Sequence, residues 1–358
     1  MSTKKRLGIV GYGGQGAWHA TWAQKSDVIE LAGIYDISEK RVQAAKDNGI
    51  HVYASLSELL ADSSVDIVLC ATPNDVHKEI VRASLRAGKH VVCEKPVAMN
   101  AAELMEIMDV AKETGKVFTV HQNRRWDKDF VIVKKVIEDK TIGTPYVFES
   151  RVQGSKRVLS GWRGVKKNGG GMLLDWGVHM LDQLMWMIKS PVVSVRAELF
   201  EVYSNDVDDN CRLHIQFENG IVAMVQVDTN CFINQARWHV MCTDGTLIIN
   251  DWACNGKMLR LLDDKELEWT SEIVYTEAGP TRTMAPRPRE TTEELELPEV
   301  NPTWTDFYNN VCAVIDSKAS GKNDVELIVK PEEALRVMKV IDLLFESGKT
   351  GSSIECNI

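Results

Sequence analysis

The chain has 358 residues, 44% hydrophobic and 26% charged, with a net charge of −9. This is the composition of an ordinary globular protein long enough for two domains. The negative balance disfavours nucleic acid or an anionic membrane surface as the main partner, and no apolar run is long enough to span a bilayer. Eight cysteines, Cys70, Cys93, Cys211, Cys231, Cys242, Cys254, Cys312 and Cys356, form no C-x-x-C pair. They read as reduced thiols of a cytoplasmic protein.

The first predicted element is a strand, Leu7 to Val10, entering the turn GYGGQG. Strand, G-x-G-x-x-G and then a helix (Ala17 to Gln24) is the context in which this motif binds a dinucleotide. Gly11 permits the tight turn, Gly13 lets the backbone approach a pyrophosphate, and Gly16 lets the helix pack on the strand. The helix N-terminus then faces the anion. Asp36 ends the next strand, Ile29 to Tyr35, at the spacing where a carboxylate accepts from a ribose 2′-OH.

Strand and helix go on alternating. Ser38 caps a helix to Asn48, Val52 and Tyr53 form a short edge strand, and Ser55 to Glu58 is a capping box. Strands at Asp66 to Ala71, His90 to Cys93 and Val117 to Val120 flank helices capped by Asn74 and Asn100. Such βα repeats with continuous apolar strands imply a parallel sheet covered on both faces, with its ligand crevice beyond the C-terminal strand ends. Three strand ends then face the cofactor: Ala71-Thr72-Pro73-Asn74, Glu94-Lys95-Pro96, and His121 to Trp126.

The pattern changes near residue 124. A helix, Phe130 to Asp139, leads to a strand, Pro145 to Gln153. The run Gly169 to Gly171 precedes a helix, Leu173 to Met187. Asn219-Gly220 and Asp244-Gly245 mark hairpins. Long strands joined by tight turns imply an antiparallel sheet, whose free face, carrying Trp, Val, Met and Ile, would be an oligomer interface. Residues 276 to 303 read as a long loop. Two helices end the chain, Trp304 to Ser317 and Glu332 to Ser347, the second opened by Pro331 and closed by Gly348. The division expected is 1–123 for dinucleotide binding and 124–358 for substrate and oligomer contacts, with helix 332–347 packing back on the first domain.

Two groups of residues have the chemistry of a site. Lys95, stiffened by Pro96, is aimed into the crevice, where it suits proton transfer or hydrogen bonding to a hydroxyl. Asp175 and His179 stand at i and i+4 on one helix, with Asp182 at i+7. A carboxylate one turn from an imidazole can orient it, making His179 a candidate base and Asp175 its orienter and a substrate ligand. A structural surface pair is the alternative, and a metal site lacks a third ligand at useful spacing. Arg124 and Arg125 at the junction could hold hydroxyls or a carboxylate, and Trp126 could stack on a sugar face. No P-loop, nucleophile elbow or Ser-His-Asp pattern appears.

Taken together, GYGGQG, Asp36, ATPNDVH (Ala71 to His77), HVVCEKPVA (His90 to Ala98) and LLDWGVHMLD (Leu173 to Asp182) resemble the Gfo/Idh/MocA oxidoreductases. The resemblance covers nearly the whole chain. It implies an α/β protein: an N-terminal Rossmann domain plus a C-terminal α+β domain with a large, mostly antiparallel open sheet. Lys95, Asp175 and His179 match the catalytic positions. The cofactor would lie along Gly11, Tyr12, Gly13, Gly14, Gln15 and Gly16, then Asp36, Thr72, Pro73, Asn74, His77, Glu94, Lys95 and Asn123, with Arg163 of the Trp162-Arg163 pair at the nicotinamide end. Substrate would meet Lys95, Arg124, Trp126, Arg163, Asp175 and His179. No metal is implied. Asp36 would repel a 2′-phosphate, so NAD is expected. The activity implied is hydride transfer from a secondary hydroxyl of a sugar, glycoside or inositol, for example at ring C3, by a homo-oligomer packed through the open sheet. Two alternatives remain: redox-neutral conversion with tightly held NAD, and a non-catalytic NAD-binding sensor.

Overall fold

The computed structural model describes residues 4–262, 272–282 and 288–358. The first half is β1 (Lys5–Val10), α1 (Gly14–Ala23), β2 (Ile29–Tyr35), α2 (Glu39–Asp47), α3 (Leu56–Ala61), β3 (Ile67–Cys70), α4 (His77–Arg86), β4 (His90–Glu94), α5 (Ala101–Thr114) and β5 (Phe118–His121). Its five strands are all parallel, in the order β2-β1-β3-β4-β5. The chain therefore leaves β1 in one direction and returns across it to β3. That reversal puts a crevice at the C-terminal ends of β1 and β3, where the glycine turn sits. Val52 makes only an isolated bridge to Ile34. Asn100 caps α5 through the Glu103 amide, and Gly115, at φ 65°, ends it. Asn74 caps nothing: residues Asn74–Val76 form a 3₁₀ turn, and the Asn74 amide donates instead to the Gly169 carbonyl at 2.7 Å.

The second half begins with α6 (Lys128–Glu138), β6 (Pro145–Gln153), α7 (Val178–Met187), β7 (Val192–Phe200), β8 (Asn210–Phe217), β9 (Val222–Asp228), β10 (Trp238–Cys242), β11 (Gly245–Ile249) and β12 (Gly256–Leu261). It ends with β13 (Ile273–Thr276), β14 (Gly279–Arg282), β15 (Thr292–Leu295), α8 (Thr305–Ala319), α9 (Pro331–Thr350) and β16 (Ile354–Glu355). Nine strands form one sheet, β15-β12-β11-β10-β6-β9-β8-β7-β16, in which β6 and β9 alone pair in parallel. The segment expected as a loop therefore supplies an edge strand, β15, and the second strand of a small ribbon, β13-β14. Residues 283–287 of that segment lie outside the described ones. Along β10 the burial alternates: Trp238, Val240 and Cys242 face inward, and the Trp238 indole donates to Asp129 of α6 at 2.9 Å. The open face is mixed: Val147 and Val222 stand on it with methionines and an isoleucine, as expected, but Trp238 faces inward and polar residues stand among them. Met224, Met241 and Ile248 lie on it among Glu149, Arg151, Arg212, Gln226 and His239, and Arg212 pairs with Asp228 at 2.6 Å.

α9 packs on β7, α7, α5 and β5, and so touches both sheets. Gly348 does not end it. The helix runs on to Gly351, at φ 67°, while Gly348 gives β7 close approach: a Cβ there would stand 2.8 Å from Leu199. The turn that follows β5 is fixed to the second half by Arg125. Its guanidinium grips Asp182 of α7 through two bonds, at 2.8 and 2.7 Å, and reaches Glu333 of α9 at 2.7 Å. Planar, bidentate geometry of this kind fixes orientation as well as distance. Arg125 and Asp182 are thus a buried brace between helices. Among the described residues no helix is long and apolar enough to cross a membrane, and all eight cysteines are free thiols.

Candidate active site

The glycine turn has the steric logic of a dinucleotide cradle. Gly11 sits at φ +95°, and a Cβ on it would lie 2.5 Å from the Ala71 carbonyl oxygen. A Cβ on Gly16 would lie 1.9 Å from the Gly11 carbonyl oxygen, so only glycine lets α1 pack on the turn. Gly13 and Gly14 face open space, with nothing within 4 Å of an added Cβ. Close packing beneath the turn and free space at Gly13 fit a pyrophosphate lying against the backbone. The helix opening there has no acidic residue in its first turn to oppose an anion. Asp36 accepts from the Tyr12 amide at 2.7 Å with one oxygen and from the Ser38 amide at 2.8 Å with the other. Its carboxylate is thereby anchored beside the turn, half-buried, with lone pairs left for a ribose hydroxyl.

Across the crevice, Lys95 reaches from the end of β4 to the turn that leads into α7. Its ammonium donates to the Asp175 carbonyl oxygen at 2.7 Å and to the Asp175 carboxylate at 2.9 Å. The second carboxylate oxygen takes the Arg163 Nε–H at 3.1 Å, and the Arg163 guanidinium lies over the Trp162 ring, 4.6 Å from its centroid. Despite its burial, Asp175 is held below the usual carboxylate range by these two cations.

This arrangement corrects the expected Asp175–His179 pair. Leu173–Gly177 is a single π-helical turn leading into α7. The Asp175 carboxylate goes to Lys95 and Arg163, and His179 loses its expected orienter. The π turn is itself held by Asp208, which accepts from the Leu173 amide at 2.7 Å. A Cβ on Gly171 would lie 2.3 Å from an oxygen of that carboxylate. His179 is buried, its Nδ1 has no partner among the described residues, and its ring lies 5.8 Å from that of Trp176. Burial first, then the charges of Lys95 and Arg124, push its pKa well below the ordinary value. The imidazole is therefore neutral at pH 7 and ready to accept a proton. A buried polar atom without a partner costs about 1–3 kcal/mol.

Several expected ligands are engaged elsewhere. His77 is fully buried, its ring nitrogens 3.0 Å from the Pro96 carbonyl oxygen and 2.9 Å from that of Thr72, so its side chain braces two crevice loops from beneath instead of lining them. Trp126 packs edge-on toward Phe307 of α8, with centroids 6.0 Å apart. Arg124 stays beside the site, held by Asp127 at 3.2 Å and lying over Trp176 at 5.1 Å. Asn123 opens the 3₁₀ turn that carries it. Sequence reasoning missed Trp252, in the turn between β11 and β12, whose ring lies 5.8 Å from Trp176. Nothing in its local sequence signals that approach, which comes from the folding of the sheet.

Glu94 also departs from expectation. Its buried carboxylate serves two imidazoles: Glu94 Oε1 lies 2.9 Å from His19 Nε2 and 2.9 Å from His121 Nδ1. His19 Nδ1 in turn lies 2.8 Å from the Tyr308 hydroxyl of α8. Both histidines hold Glu94 well below its usual range, so it is an ionised acceptor. Each nitrogen facing it therefore carries a proton, His19 Nδ1 is a lone pair, and Tyr308 donates to it. The tetrad joins α1, β4, β5 and α8 directly behind Lys95. Burial pulls the His19 pKa down to about 4. The unfolded chain then takes up this proton below about pH 6.5 while the native one resists it to about pH 4, so stability falls with pH across that window. Its contribution amounts to about 2 kcal/mol between pH 7 and pH 5. Urea denaturation at both pH values should show that loss, and His19→Gln should be less stable at pH 7 but lose less on acidification. An equal pH slope in the variant would remove His19 as its source.

Comparison with known proteins places both halves of the chain in one family. Residues 5–122 match the model of an oxidoreductase family with an NAD-binding Rossmann fold, and residues 130–248 match the GFO/IDH/MocA C-terminal domain. A solved structure of an NAD-binding protein from Listeria innocua superposes with a TM-score of 0.91 at 44% identity, covering 99% of this chain and 100% of that one. The scyllo-inositol 2-dehydrogenase (NADP(+)) of Bacillus subtilis is 27% identical over 98% of this chain and 95% of its own. The myo-inositol 2-dehydrogenase of Thermotoga maritima is 28% identical over 62% of this chain and 67% of its own. A Rossmann sheet with a dinucleotide turn, a large mixed sheet and matches across both halves lead to one conclusion: the chain belongs to the Gfo/Idh/MocA family of NAD(P)-binding oxidoreductases.

Proposed function

We propose that this protein is an NAD-dependent dehydrogenase that oxidises a secondary hydroxyl of a polyhydroxylated ring, a sugar, glycoside or inositol, for example at ring C3. The carrying observation is the pairing of a charged Lys95–Asp175–Arg163 cluster with a neutral, buried His179 whose Nδ1 has no partner among the described residues. His179 accepts the proton of the reacting hydroxyl. Lys95 donates a hydrogen bond to the same oxygen and stabilises the negative charge that develops on it. Asp175 keeps Lys95 in place and accepts from a neighbouring hydroxyl. When bound, the nicotinamide would take up the hydride from the carbinol carbon. The inositol dehydrogenases among the relatives support a ring polyol as substrate class. Asp36 supports NAD, because a carboxylate anchored beside the turn opposes a 2′-phosphate. The open face of the nine-stranded sheet, with methionines among its ion pairs, is the surface through which copies of the chain would assemble.

The test follows NADH or NADPH absorbance while purified protein meets inositols, free sugars and methyl glycosides with each cofactor. Steady NADH release with at least one ring polyol is the expected result, with NADPH formed more slowly. Asp36→Ser should narrow the NAD preference by about tenfold, the equivalent of about 1.4 kcal/mol. An unchanged ratio would remove Asp36 from cofactor choice. A converted ring without net NADH would mean redox-neutral catalysis, and no conversion of any ring would leave a sensor.

A further inference from the structure

Trp252 is a large apolar side chain standing half in water, 51% exposed, in a turn that is otherwise rigidly built. Asp251 holds that turn by accepting from the Asn255 amide at 3.1 Å and from its side chain at 2.8 Å, and the Asn250 amide bonds the Asn255 carbonyl at 2.7 Å. The indole rests against the Arg237 guanidinium, 4.6 Å from the ring centroid. Arg237 is itself buried and fixed, to the Ser150 hydroxyl at 2.9 Å and the Arg151 carbonyl at 3.1 Å. An exposed tryptophan ordinarily gains little by being held. This one is backed by an arginine pinned inside the protein, so its orientation is set before any ligand arrives.

Its position gives that order a use. The ring of Trp176 lies 5.8 Å from that of His179, and the ring of Trp252, itself half in water, lies 5.8 Å from that of Trp176. Trp176 is backed in the same way by Arg124 at 5.1 Å. Each step is about the width of one six-membered ring. A polyol ring presenting its hydroxyl to Lys95 and His179 would lie against Trp176, and anything linked to it on the open side would reach Trp252. Indole faces take flat apolar surfaces, either another aromatic ring or the C–H face of a pyranose.

On the reading that this site oxidises a ring hydroxyl, we infer that the substrate carries a second ring, an aryl group or a further sugar, and that Trp252 is the platform for it. A free monocyclic polyol would leave this platform unused.

The test is equilibrium binding by calorimetry to the NADH-loaded protein, with matched methyl and phenyl β-glycosides of glucose, galactose and mannose, and with cellobiose and lactose as two-sugar counterparts. In at least one series the phenyl glycoside or the disaccharide should bind about tenfold more tightly than the methyl glycoside. Trp252→Ala should erase that difference and leave the methyl glycoside affinity unchanged, and Trp252→Phe should restore part of it. Gain with phenyl alone identifies an aryl group, and gain with the disaccharide alone identifies a second sugar. Equal affinities across every series, or a difference that survives in Trp252→Ala, would overturn the inference. The dehydrogenase reading is separated by turnover measured alongside: Trp252-dependent binding without NADH formation overturns that reading and keeps the platform, whereas turnover of methyl glycosides with no second-ring gain does the reverse.

Discussion

Lys95→Ala is expected to lower kcat by about three orders of magnitude, within the range that a positioned proton-transfer or charge-stabilising group supplies. Binding of NADH, followed by fluorescence, should stay within a few fold, because the glycine turn and Asp36 do not depend on Lys95. The fold should survive as well. Asp175 keeps its second cation, Arg163 at 3.1 Å, so the buried carboxylate is not left alone. Arg163 does not replace the lysine: its Nε–H goes to the far carboxylate oxygen, and the side chain is 41% exposed at the edge of the site. Lys95→Arg should recover little activity, because a planar guanidinium matches neither the geometry nor the proton affinity of an ammonium. If Lys95→Ala kept a tenth or more of wild-type turnover, Lys95 would be a structural tie to Asp175 and the chemistry would lie elsewhere.

How far the site could be read from the sequence depends on whether a residue's role is set locally or by distant packing. The glycine turn is local. The φ of Gly11 and the approach of Gly16 follow from strand, turn and helix within a dozen residues, and the motif carries all of it. Asn100 and the Asn219-Gly220 hairpin are legible for the same reason. The Asp175–His179 pair is not legible from i, i+4 spacing, which sets a shared face but not a partner: Lys95 and Arg163, brought in from elsewhere in the chain, take the Asp175 carboxylate. For Glu94 and His77 the neighbours in the chain point to the crevice. Their side chains instead meet His19, His121 and the loop carbonyls inside the protein. Gly348 has the local signature of a helix end, but its meaning is contact with Leu199, on a strand nearly 150 residues away in sequence. Trp252 belongs to this second class altogether. Its relation to Trp176 exists only because β11 and β12 extend the sheet beyond β10.

His179 offers the sharper test of mechanism, because burial and neighbouring charge act on it in one direction. Desolvation disfavours the imidazolium, and the nearby positive charges of Lys95 and Arg124 add to that. A base with an ordinary histidine pKa would give a kcat/KM profile that declines as pH falls through about 6.5. Here kcat/KM should hold steady through that value and decline only well below it. Removing a positive neighbour reduces one cause of the depression, so in the residual activity of Lys95→Met the acid limb should move up towards 6.5. His179→Ala should lower kcat by about two to four orders of magnitude at pH 7. The same substitution should make the fold less sensitive to acid. In the wild type the unfolded chain binds a proton at His179 below about pH 6.5 that the native chain resists, which costs stability as pH falls, and the variant has no such proton to bind. Loss of activity together with gained acid tolerance is a combination that neither a misfolded variant nor a merely structural histidine would give. An acid limb that stayed at 6.5 in the wild type would place the catalytic proton on another group.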